Sequence, residues 1–140
     1  MLFAKISSLA IVGAAVASFL FGGAWYGLLG RHWMAALGKT EAEIKAAGRP
    51  VALLFAITII AQLVMAFMLA GVIGHLGPGQ VNWRNGLISA ALLWLGFVAT
   101  TLVVNHGYQG ARWSLTAIDG AHWLGVLLIQ GLIIGIFGAG

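Results

Sequence analysis

Asn105, His106, Asp119 and His122 are the residues of this chain whose types and spacing suit chemistry. Asp119 and His122 stand three apart, so on a helix they share a face. Imidazole with carboxylate suits zinc, iron or manganese. The same groups suit a proton relay, because histidine changes charge near neutral pH. His32 can approach them from a neighbouring loop. No spacing of the HExxH kind defines a ligand set, however. The plainer account makes Asp119 an N-cap, where free N–H groups and the helix dipole favour a carboxylate, and His106 and His122 polar residues at span ends. We adopt it and expect no metal ligands, no cofactor and no catalytic residues. His75 stands alone at the end of another apolar run. A lone histidine can ligate haem or a pigment, but an interfacial cap accounts for it more simply. Gln62, Gln130, Thr100 and Thr101 are expected to hydrogen-bond between helices.

The elements that must position these groups follow from composition. The chain has 140 residues, 61% hydrophobic and 7% charged, against about 25% charged in soluble domains. Too few charges remain to cover a water-facing surface. Apolar runs at about residues 6–29, 51–76, 85–108 and 120–138 each approach the ~20 residues that cross a hydrocarbon core. In lipid, backbone polar groups must be satisfied within the segment, so the runs are helices. We therefore expect an all-α, four-span transmembrane bundle forming one domain. An apolar run after Lys5 with Ala15-Val16-Ala17 looks like a signal peptide. It continues to Leu29, so an uncleaved first helix is expected.

Small residues recur every fourth position at Ala10, Ala14, Ser18 and Gly22, again at Ala66, Ala70 and Gly74, and at Gly131, Gly135 and Ala139; Gly23 and Gly27 add a GxxxG pair. Such stripes let helix backbones approach closely. Packing within the chain is the favoured use and homo-oligomerisation the alternative. In the first loop, Thr40-Glu41-Ala42-Glu43 fits a capping box, Glu41 and Lys45 an i,i+4 ion pair, Gly48 a helix stop and Pro50 an opening turn of the second span. A short helix is expected there. Gly77-Pro78-Gly79-Gln80 reads as a tight turn. Trp25, Tyr26, Trp33, Trp83, Tyr108, Trp113 and Trp123 fall near span ends, as an aromatic belt does, while Trp94 lies inside the third span.

Arg31, Lys39, Lys45, Arg49 and Arg112 fall in loops one and three, with only Lys5 and Arg84 opposite. The positive-inside rule then puts those loops in the cytoplasm and both termini outside. Seven scattered basic residues make no phosphate-tracking surface, so nucleic acid is excluded as a partner. The absence of cysteine excludes disulfides and thiolate chemistry. No Walker A or GxSxG motif occurs. No acidic residue falls at mid-membrane, as exchange transport needs. Each half of the chain is a helical hairpin whose second helix carries one glutamine, Gln62 or Gln130. That hints at a duplication, although chance apolar similarity explains it nearly as well.

At Trp25-Tyr26-Gly27, Arg31, Trp33-Met34, Leu37-Gly38, Thr40-Glu41 and Ile44, the chain resembles the DUF1761 family. The likeness runs on through Leu95-Gly96-Phe97, Thr100-Thr101, Asn105, Asp119-Gly120 and His122. The resemblance implies a small bacterial membrane protein of four spans with no assigned activity, and Asn where this chain has His106 and Asp119. Packing signals outnumber site signals. The expected role is thus a non-enzymatic accessory subunit of the bacterial inner membrane, associating with lipid, itself or a larger complex. The alternatives are a small transporter or channel using the polar cluster, and a metal- or pigment-binding module.

Overall fold

A computed structural model describes residues 6–139. Lys5, one of the topology-setting basic residues, lies outside them. The chain is helical almost throughout: α1 (Ser8–Leu37), α2 (Glu41–Ala47), α3 (Val51–His75), α4 (Trp83–Leu93), a π-helical turn (Trp94–Ala99), α5 (Thr100–Tyr108) and α6 (Trp113–Phe137). The α4–π–α5 run is one continuous rod, Trp83–Tyr108. With α1, α3 and α6 it makes four helices long and apolar enough to cross a membrane. Helix α6 is the central one, packing against each of the other three spans. Of its most apolar stretch 44% is buried, compared with 11% for α3. Helix α3 instead turns Leu53, Phe55, Ile60 and Met68 outward. That surface suits hydrocarbon and is not one a water-soluble monomer exposes.

Three boundaries differ from the sequence expectation. First, α1 does not stop at Leu29 but runs to Leu37, where Gly38 takes a left-handed φ of 70° and its N–H closes on Ala35 and Met34. Leaving the hydrocarbon is no reason for a helix to end, and no Pro lies in Gly30–Leu37 to break it. Arg31, Trp33 and Met34 are therefore helical. Second, α6 begins at Trp113 after an uncapped Arg112, so Asp119 sits inside the helix and is no N-cap. Third, the third span starts at Trp83, with the Asn82 side chain accepting from Asn85 N, and its middle widens into the π turn. There Thr100 and Thr101 hydroxyls donate to the carbonyls of Gly96 and Phe97, at 2.8 and 2.7 Å. They repair the backbone within their own helix, whereas the sequence predicts that they bond between helices.

Local chemistry in the first loop is as read. Thr40 and Glu43 form a reciprocal capping box, Gly48 ends the helix in extended backbone, and Glu41 pairs with Lys45 at 3.0 Å. Pro50 lies one position earlier than expected, at the N-cap of α3. Helix α2 has no buried residue.

Most positions of the small-residue stripes lie inside the bundle, although Ala139 is exposed and Gly74 half-buried. Ala14, Ser18, Ala66 and Ala70 are fully buried. Gly131 lies against the backbone of Gly86, and Gly135 against that of Asn82 and Trp83, so closely that a Cβ at either would collide. The GxxxG pair behaves differently: a Cβ at Gly23 or Gly27 would meet nothing within 4 Å. At one end of the bundle Ser7 N donates to Gly138 O at 3.0 Å, joining the start of α1 to the end of α6. At the other end the Arg112 guanidinium donates to the Ala35 carbonyl. This end gathers Arg31, Lys39, Lys45, Arg49 and Arg112.

Candidate functional site

Most of the polar chemistry lies where α1 crosses α6 at the basic end. Consecutive residues of α1 bond to consecutive residues of α6: Trp25 Nε1 donates to Ile118 O at 3.1 Å, and Tyr26 Oη donates to Asp119 Oδ1 at 2.7 Å. Helical periodicity then brings His122 one turn along from Asp119 onto the same face. Its ring centroid lies 4.8 Å from Tyr26, 4.6 Å from Trp123 and 6.1 Å from Phe21, to which it is parallel within 5°. Trp33, about two turns along α1 from Tyr26, meets the tyrosine edge-on at 5.9 Å. His122 is buried, and the room for it is made by Gly22: a Cβ there would stand 2.8 Å from Nε2. Its Nδ1 is buried with no hydrogen-bond partner.

Of the four residues proposed from sequence, Asp119 and His122 thus belong together. His106 does not join them: its Nδ1 bonds Thr116 Oγ1 at 2.8 Å, tying α5 to α6. Asn105 and His32 are exposed, and His75 is exposed at the far end of α3. Among the described residues, no three His, Asp or Glu side chains converge as metal ligands do. Trp25, Tyr26, Trp33 and Trp123 are half-buried partners in this crossing. Trp83, Tyr108 and Trp113 are exposed at span ends, where a belt belongs.

Deeper in the bundle a second polar node joins three helices, as expected for Gln62 and Gln130. Gln130 Nε2 donates to Ser18 Oγ at 3.0 Å and to Gln62 O at 3.2 Å, and Ser18 Oγ lies 2.9 Å from Gln62 Oε1. All three side chains are fully buried. On the opposite flank of α6, an apolar cavity of about 380 Å³ runs beside the π turn, lined by Trp94, Leu102, Trp113, Thr116 and Gly120 among others. Two of these lining residues are bonded to each other, Trp94 Nε1 donating to Gly120 O at 2.8 Å.

A four-span helical membrane bundle with polar groups spent mainly on helix-to-helix bonds is the class these features define. Its family follows from a match over residues 9–135 to the family model described as a protein of unknown function, DUF1761. The chain belongs to that family. No curated protein and no solved structure matches it.

Sequence reading places Tyr26 in the family motif and in the aromatic belt, and does not pair it with Asp119. The Trp25-Tyr26 pair carries no sign of its partner 93 residues away.

Proposed function

We propose that this protein is a non-enzymatic accessory subunit of a bacterial inner membrane that associates, with its own copies or a larger membrane complex, through the outer face of α1. The observation that carries the reading is the division of small residues into two sets. The inner set, with Gly86, Gly131 and Gly135, is used up in contacts within the chain. The outer set, Gly13, Gly23 and Gly27, has open space at every Cβ position. In hydrocarbon, close backbone approach is a principal source of helix association, and the outer glycines offer it with no partner among the described residues. By the excess of Lys and Arg in loops one and three, those loops face the cytoplasm and the termini face outward. The reading involves no metal and no cofactor.

Replacing Gly23 and Gly27 together by Leu tests it. Native mass spectrometry after gentle extraction should find the wild type in an assembly larger than one chain and the double variant as folded monomer. A wild type that is monomeric at every protein-to-lipid ratio, or a double variant that assembles unchanged, would overturn the reading.

A further inference from the structure

Asp119 is the one acidic residue on a spanning helix, since Glu41 and Glu43 sit on α2. It lies six residues into α6, about 9 Å along from the first residue at 1.5 Å rise each, so it is placed below the surface yet far from the midplane. Its Oδ1 is held by the Tyr26 hydroxyl. Among the described residues it makes no ion pair. Of the basic residues gathered at this end, Arg112 donates to the Ala35 carbonyl and Lys45 pairs with Glu41, and among the described residues none pairs with Asp119. His122, on the same face, makes no hydrogen bond to it, and its Nδ1 has no partner at all. An ionised carboxylate at this depth is costly without a positive charge beside it. Half-buried rings line this crossing: Trp25 bonds Ile118 O next to Asp119, Tyr26 bonds its carboxylate, Trp33 packs on Tyr26 and Trp123 on His122, and ring faces attract cations most strongly when both are desolvated.

We propose that Asp119 and these rings form a binding site for an organic ammonium cation. The carboxylate supplies the countercharge, the Tyr26 hydroxyl fixes its orientation, and the aromatic faces favour a carbon-clad ammonium over a small hydrated ion. The same chemistry is presented by an aminophospholipid headgroup and by a free amphiphilic amine. The site is separate from the outer glycine face of α1 and does not depend on association.

The test uses the full chain in bilayer discs of phosphatidylglycerol, which has no ammonium, titrated with benzyltrimethylammonium chloride against potassium chloride at equal ionic strength. Tryptophan fluorescence and calorimetry should report saturable binding of the organic cation and none of potassium. Asp119→Asn, whose amide oxygen still accepts from Tyr26, should bind at least about tenfold more weakly, the scale of one lost charge-assisted contact. Absence of saturable binding to the wild type, equal response to potassium, or equal affinity in Asp119→Asn would each overturn the proposal. If Asp119→Asn does not fold, the wild-type comparison with potassium decides alone. Adding phosphatidylethanolamine to the discs separates the sources. Competition with the probe supports ammonium recognition with the headgroup as occupant, and unchanged affinity supports it with a free amine.

Discussion

At the scale of single residues, neighbours in sequence carry opposite burdens. Gly22 faces His122 Nε2 at a distance that leaves no room for a Cβ, whereas Gly23 faces open space. Gly22→Leu should therefore destabilise the bundle by about 1–3 kcal/mol, the usual cost of overpacking. Gly23→Leu should stay within about 0.5 kcal/mol for the isolated chain, as surface changes do. Reversible unfolding in mixed micelles, followed by helical circular dichroism, separates the two. Tyr26→Phe removes only the hydroxyl that donates to Asp119 at 2.7 Å. Hydrogen bonds between membrane helices average about 0.6 kcal/mol, so its cost in the same assay should be under about 2 kcal/mol. A larger loss would mean that Asp119 depends on this one bond for its burial.

At the scale of elements, α6 is held from two sides by different means. On the α1 side, side chains do the work through Trp25, Tyr26, Ser18 and the stacked rings. On the α4 side, backbone meets backbone at Gly86–Gly131 and Gly135–Asn82. A backbone cannot yield as a side chain can, so Gly131→Ala should cost about 1–3 kcal/mol although it adds one methyl group. The π turn gives the matching contrast. Gly96 has nothing within 4 Å of a Cβ, and alanine is favoured over glycine in helices by about 0.5–1 kcal/mol. Gly96→Ala should then be neutral or mildly stabilising by the same unfolding measurement. If it destabilises strongly, the wide turn needs glycine for its backbone shape.

At the scale of the whole molecule, the sequence was legible wherever local physics decides. Hydrocarbon runs announced the four spans, Thr40 and Glu43 announced α2, and the buried glutamines announced a polar contact between helices. What it did not disclose depends on which helix faces pair. Nothing near Tyr26 points to Asp119. Nothing in Gly23-Ala24 distinguishes its outward glycine from the inward Gly22, and the stop of α1 is set by Gly38, beyond the hydrocarbon edge. The arrangement of ends follows from pairing as well. Ser7 bonded to Gly138 puts the start of α1 beside the end of α6, and Arg112 bonded to Ala35 puts loops one and three together at the other end. The cytoplasmic placement of that basic end can then be tested with two single cysteines, because the chain has none of its own. Ala46 on α2 and Pro78 in the second loop are both exposed and lie at opposite ends. Placed in intact cells, Pro78→Cys should react with a membrane-impermeant maleimide, and Ala46→Cys only after the membrane is opened. The reverse pattern would invert the whole bundle. The five basic residues of that end would then lie outside, and the positive-inside rule would have failed for a chain in which both basic loops meet at one end.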